Sequence, residues 1–174
     1  MIGTGRIHVY YGDGKGKTTA AMGLVLRAAG SGLDVLMFQF LKDNSSSERI
    51  ILEQIPNVTC LPGKDRVKFV SKMNADEKAR LKHYNNKALD EIIKLCGPFD
   101  VLVLDEILCA VQLGVLSEEK LVEFLEHKPR GLEIVLTGHV VSDKVLELAD
   151  YVTEIRKVKH PYDQGITARE GIEY

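Results

Sequence analysis

Gly12-Asp13-Gly14-Lys15-Gly16-Lys17-Thr18 gathers three glycines, two lysines and a hydroxyl into seven residues. The chemistry open to such a run is anion binding. Glycines let successive backbone N–H groups converge on one oxyanion, and a helix opening behind them adds its positive end. Lys17 adds a full charge, and Thr18 offers a hydroxyl to a divalent cation. The flanks fit, because Ile7–Tyr11 is β-branched and aromatic while Thr19–Leu26 is an alanine-rich helical pattern. Strand, glycine-rich turn and helix is the setting of a phosphate loop. The alternative, a tight connection and nothing more, suits the residues poorly, since each glycine costs chain entropy and the lysines repel one another. The loop is one residue short. Only Asp13, Gly14 and Lys15 separate Gly12 from Gly16, where the common pattern has four residues.

Asp105 and Glu106 close the apolar run Val101–Leu104. Two adjacent carboxylates at a buried strand end are unfavourable without a cation. They supply the acidic oxygens for magnesium that a phosphate loop lacks. Capping the segment Ile107–Ala110 is the other reading of Asp105, and the residues alone leave open which carboxylate touches the metal. Thr137-Gly138-His139 ends another apolar run and has two readings, a phosphate contact or a helix-entry turn. His8 alternates within a strand, His83 lies on a solvated helix and His127 closes one. None has a nucleophile partner in sequence, so no Ser-His-Asp or Cys-His chemistry arises.

The elements that must hold these residues can be traced from periodicity. Asp34–Phe40, Val58–Leu61, Asp100–Glu106, Leu132–Gly138 and Tyr151–Ile155 have strand character, and helical patterns alternate with them. Gly30-Ser31-Gly32 stops the first helix. Asn74 with Glu77 predicts a capping box opening a long helix that Gly97-Pro98 ends, and Ser117 and Ser142 are predicted caps. A loop at Asp43–Ser47 leads into a short amphipathic stretch through Ile50, Ile51, Leu52 and Ile55. Pro62–Met73 is irregular, with four basic residues and Phe69, at a place where an α/β protein can carry a functional loop. Arg156–Tyr174 is a polar tail. This alternation predicts an α/β fold with a mostly parallel sheet covered on both faces, in a single domain over residues 1–174. Ligands then bind at the carboxyl ends of the strands, where the phosphate loop, Asp105/Glu106 and Thr137-Gly138 all fall.

Bulk properties narrow the partners. The chain has 174 residues, 45% hydrophobic and 28% charged, with a formal charge of −2 and both signs interspersed. No basic field points to nucleic acid or a membrane surface. No signal pattern or apolar run of transmembrane length is present, which predicts a cytoplasmic protein. Cys60, Cys96 and Cys109 are odd in number and widely spaced, the pattern of reduced thiols and not of a disulfide framework or metal site.

Gly12-Asp13-Gly14-Lys15-Gly16-Lys17-Thr18-Thr19-Ala20-Ala21 resembles the short phosphate loop of the P-loop ATP:cob(I)alamin (corrinoid) adenosyltransferases. Leu104-Asp105-Glu106, Leu136-Thr137-Gly138 and the ending Lys157-Val158-Lys159-His160…Gly165…Ala168…Gly171-Ile172-Glu173-Tyr174 are similar to that family as well, in its order and over nearly the whole chain. The resemblance implies a homodimeric, RecA-like P-loop fold that moves the 5′-deoxyadenosyl group of ATP to cobalt(I) of a corrin and releases tripolyphosphate. It implies that the nucleotide lies reversed relative to ordinary P-loop enzymes, in keeping with the altered loop length. Cobalt(I) is itself a strong nucleophile, so such a protein needs no general base. It must place C5′ in line with cobalt and neutralise the charge growing on the triphosphate. By the same resemblance Gly12 to Thr19, with Thr137 and Gly138, contact the nucleotide, and Lys15 is a further phosphate contact. Lys17 and Glu106 act in catalysis, and magnesium (or manganese) is held by Thr18 and Glu106 with Asp105 behind. A reductase or flavodoxin-like protein is the expected electron donor.

Three departures from the family pattern stand out. Better-known members have an N-terminal segment that folds over the site, and here Met1–Gly5 precede the first strand. Their Phe-x-Trp pair, thought to press on the corrin, is replaced by Lys64-Asp65-Arg66-Val67-Lys68-Phe69-Val70, in a chain without tryptophan. Phe69 is then the candidate corrin contact, with a plug for the local core as its other reading. Their Thr-Gly-Arg becomes Thr137-Gly138-His139, without an always-charged donor. The rival functions are a small nucleotide or nucleoside kinase, whose arginine-rich lid this sequence lacks, and a nucleotide-binding regulatory ATPase.

Overall fold

The computed structural model describes residues 3–173. Six strands form one sheet: β1 (Ile7–Tyr11), β2 (Val35–Gln39), β3 (Val58–Cys60), β4 (Val101–Asp105), β5 (Glu133–Thr137) and β6 (Tyr151–Glu154). Their order is β3-β2-β4-β5-β1-β6, and every pairing is parallel. Helices α1 (Lys17–Gly30), α2 (Ser47–Leu52), α3 (Ala75–Leu95), α4 (Ile107–Gln112), α5 (Glu118–Glu126) and α6 (Asp143–Leu148) fill the crossovers.

The pleat sorts the side chains onto two cores. Val35, Met37, Val101, Val103 and Val135 face one way and pack with Ala21, Met22, Val25 and Ala28 of α1 and with Leu52 of α2. Leu36, Phe38, Leu102, Leu104, Ile134 and Leu136 face the other way, against Leu89 and Ile92 of α3, Leu121 and Phe124 of α5 and Val145 of α6. Strands β2 and β4 are buried throughout, which is why their sequences lack polar alternation.

The caps mostly follow the sequence reading. Asn74 and Glu77 form a reciprocal capping box on α3, and the Ser117 hydroxyl accepts from the Lys120 N–H on α5. Ser142 stands at the cap position of α6, but its side chain makes no capping bond.

The strand order positions the site. β5 lies between the strand leading into the phosphate loop and the strand ending in the carboxylates. Gly138, where the chain leaves β5, packs against α4: a Cβ there would lie 2.5 Å from Leu108 Cβ and 2.8 Å from the Cys109 backbone nitrogen. Gly138→Ala is therefore expected to overpack this seam and cost about 1–3 kcal/mol. A thermal melt checks it, and an unchanged melting temperature would mean that α4 is free to shift.

Candidate active site

Glycine decides the shape of the phosphate loop at two points. Gly12 and Gly16 both have φ of 116°, and Gly16 leads into α1 without a side-chain cap, leaving the first helical N–H groups to face an anion. Gly12 and Gly14 also meet the backbone leaving β6, where a Cβ would lie 2.4 Å from Ile155 O and 2.7 Å from the Arg156 carbonyl carbon. The tail is tied onto the loop. Gly14 N–H donates to Ile155 O at 2.8 Å, and Lys157 N–H donates to Asp13 Oδ1 at 2.9 Å. That bond, foremost, holds the Asp13 carboxyl below the usual carboxylate range. Arg156–Glu173 is thus more than a polar tail, since Gly171, Ile172 and Glu173 reach the wall of the cavity described below.

Lys17 is buried, and its ammonium donates to the loop's own Gly14 O at 2.6 Å. Thr18 is half-buried, whereas Lys15 and Thr19 are exposed. The Thr18 hydroxyl donates to Asp105 Oδ1 at 2.9 Å, joining residues 87 apart in the chain.

Asp105 is wholly buried at the end of β4. Its Oδ1 accepts from Thr18 and from Thr137 Oγ1 at 2.7 Å; its Oδ2 accepts from Lys42 Nζ at 2.8 Å and Gln39 Nε2 at 3.1 Å. Burial pushes this carboxyl up, and the charge and hydrogen bond of Lys42, with the bonds from Thr137 and Gln39, outweigh it and hold it below its ordinary value. Asp105 does not cap α4. Glu106 occupies that position, in the left-handed region at φ 60°, and makes no capping bond. The twist leaves the half-buried Glu106 on the cavity wall. Thr137 accepts the Glu106 N–H at 2.8 Å while donating to Asp105, so one buried threonine fixes both acidic residues.

The cavity has a volume of about 890 Å³, within the range of small-molecule sites. Thr18, Lys42, Glu48 and Glu106 give it a polar, charged wall; Leu41, Val67, Phe69, Leu113 and Ile172 give it an apolar one. Phe69 is 77% exposed, while the adjacent Val70 is buried. The core-plug reading of Phe69 is therefore incorrect, and Val70 fills that place. Cys109, in the same wall, has its thiol pushed up to about 12 by burial and by the neighbouring Glu106, so it is no thiolate nucleophile at neutral pH.

Two residues at the centre of this network, Gln39 and Lys42, were not among those singled out in the sequence. The available signal was a polar Gln39 inside the apolar stretch Asp34–Phe40, at the ligand end of its strand. The β2–β4 register sets Gln39 beside Asp105.

A glycine-rich loop running into a helix, and a buried acidic strand end bonded to the loop's own threonine across an inserted strand, define a P-loop nucleotide-binding protein. A likeness to the EssC ATPase structure of Geobacillus thermodenitrificans agrees on the fold, with a TM-score of 0.54 at 18% identity, covering 96% of this chain and 35% of that one. The chain thus spans about a third of that structure's length. Residues 3–174 match the model of the ATP:corrinoid adenosyltransferase family BtuR/CobO/CobP, and the chain belongs to that family. It is 33% identical to the corrinoid adenosyltransferase CobA of Salmonella typhimurium over 174 residues, covering 98% of this chain and 86% of the relative. It is 34% identical to the corrinoid adenosyltransferase of Escherichia coli K12, with the same coverage. At 30% it is also similar to that of Pseudomonas aeruginosa, covering 98% of this chain and 84% of the relative.

Proposed function

We propose that this protein transfers the 5′-deoxyadenosyl group of ATP to the cobalt of a reduced corrinoid and releases inorganic tripolyphosphate. The observation that carries the reading is the Thr18–Asp105–Thr137–Glu106 network, which sets a phosphate loop against an acidic strand end on the wall of a partly apolar cavity. The electron pair of cobalt(I) forms the new bond to C5′ as the C5′–O5′ bond breaks, and the leaving triphosphate takes that bonding pair. No proton need be removed. The chain's part is to align the reactants and to offset charge on the leaving group. Lys17 and the Gly12–Gly16 amides receive the phosphates, with Lys15 and Thr19 at the exposed rim. Lys17 must leave Gly14 O to do so, a turn that its flexible stem allows. Thr137 and Gly138 work from behind, the first by fixing Asp105 and Glu106, the second by admitting α4 close to β5.

The donor set suits magnesium or manganese, which when bound supplies charge stabilisation on the phosphates. Thr18 directs its proton to Asp105 and points its hydroxyl lone pairs away from that carboxylate, Glu106 presents a carboxylate to the cavity, and Asp105 holds the threonine. Among the described residues no three His, Cys, Asp or Glu side chains converge as a metal-holding group. The nucleotide's own oxygens would complete the shell, as is common for magnesium.

Phe69 offers its exposed ring to one face of the corrin. Phe69→Ala is expected to spare stability, within about 0.5 kcal/mol for an exposed side chain, and to spare ATP binding. It should impair use of cob(II)alamin more than of cobinamide, which lacks a coordinated lower ligand. Equal losses with both corrinoids would place the corrin elsewhere.

The functional unit is a single domain working as a homodimer in the cytoplasm, with its electron from a reductase or flavodoxin-like donor. The open edge at β6, where Tyr151 and Val152 are 54% and 47% exposed, and the three free thiols support the dimer and the compartment respectively. Phosphorus NMR of the spent reaction tests the transfer. Tripolyphosphate formed one for one with consumed corrinoid supports it, and ADP as the product would assign a kinase.

A further inference from the structure

Lys42 Nζ lies 2.8 Å from Asp105 Oδ2 and 3.3 Å from Thr18 Oγ1. Because Thr18 gives its hydroxyl proton to Asp105, the contact with Lys42 takes one of the two hydroxyl lone pairs open to a metal and sets a positive charge beside the other. Glu106 and Glu48 add their negative charge around the ammonium. Asp105 accepts from four donors, which fills the lone pairs of a carboxylate. The backbone is twisted on both sides of this pair. Leu41, just before Lys42, and Glu106, just after Asp105, are the non-glycine residues with positive φ, at 59° and 60°, among the described residues. Side chains rarely adopt that conformation, and it concentrates at working sites.

We infer that Lys42 is a positioning residue whose ammonium holds the metal seat while no nucleotide is bound and moves onto the triphosphate when metal and nucleotide enter together. The inference rests on Thr18, Asp105 and Glu106 being the metal-holding set. An ammonium and a divalent cation repel and cannot share the same oxygens, so one must leave for the other to bind. The Lys42 side chain is 29% exposed and already lines the cavity, and its four-carbon stem lets the charge swing. An incoming triphosphate brings the anion that receives it. Metal alone therefore binds poorly, and metal with polyphosphate binds well, through a residue that belongs to neither the phosphate loop nor the acidic strand.

Manganese(II) titrations followed by electron paramagnetic resonance test this on wild type and Lys42→Met, with and without inorganic tripolyphosphate. Lys42→Met should bind manganese alone about tenfold more tightly than wild type, the scale of one charge-assisted contact. The gain in manganese affinity caused by tripolyphosphate should shrink by a similar factor. A second readout needs no variant: amine acylation of wild-type Lys42, followed by mass spectrometry. It should be slow in the free protein, faster at saturating manganese, and slow again with manganese and tripolyphosphate. Manganese uptake with tripolyphosphate, but with unchanged affinity in Lys42→Met or with Lys42 acylation indifferent to manganese, overturns the role of Lys42 alone. No manganese uptake under any condition overturns the metal-site reading and this inference with it.

Discussion

Lys17→Ala is expected to fold and to lose ATP-dependent turnover by at least about two orders of magnitude, the scale of removing one preorganised donor from developing charge. Lys17 lies in the first turn of α1, and its ammonium meets Gly14 O within the phosphate loop instead of packing among apolar side chains. Truncation removes the one buried cation of the loop and leaves a carbonyl that water can reach once the stem is gone. ATP affinity should fall by about 10- to 100-fold, as expected for losing a charge-assisted hydrogen bond. Far-UV circular dichroism and an ATP titration on the same sample separate the two effects. Unchanged affinity and turnover would remove the phosphate-loop assignment.

Glu106→Ala should reduce magnesium-dependent activity by orders of magnitude, with partial recovery at raised magnesium. Its carboxylate lines the cavity and makes no capping bond on α4, so its loss should leave the melting temperature close to wild type. Asp105→Asn is a different experiment. The carboxylate it replaces accepts from four donors in full burial, and an amide NH2 in that place opposes at least one of them. A stability loss of about 1–3 kcal/mol should accompany the loss of activity. Wild-type magnesium dependence in Glu106→Ala would make the acidic pair structural.

Much of this arrangement is legible in the amino-acid sequence. The phosphate loop is a local motif, since its glycines, lysine and threonine act through backbone geometry set within seven residues. The strands were legible because burial on both faces of a parallel sheet forces near-continuous apolar runs, as in Val101–Leu104. Position at the carboxyl end of a strand then placed Asp105 and Glu106 near the loop.

What escaped the sequence depends on register or on the path of the chain. Gln39 meets Asp105 only because β2 pairs with β4 in that register, and Lys42 arrives through a left-handed turn at Leu41 that no residue preference announces. The tail has no hydrophobic period to mark where it lies, yet Lys157 and Ile155 bond the phosphate loop through backbone atoms. Ser142 shows the opposite failure: the residue type is right for a cap, and the side chain does not make the bond. Phe69 and Val70 are adjacent and both apolar, so composition could not say which of them enters the core.

Formation of a cobalt–carbon bond is the defining event of adenosyl transfer. Protein, ATP, magnesium and chemically reduced cobalamin, incubated anaerobically in the dark and followed by absorbance, should yield an adenosylated corrinoid whose spectrum collapses on illumination. The yield should depend on both ATP and intact Lys17. A corrinoid spectrum that light does not change, in a sample where ATP has been consumed to ADP, would contradict adenosyl transfer and leave a P-loop phosphotransferase or ATPase in its place.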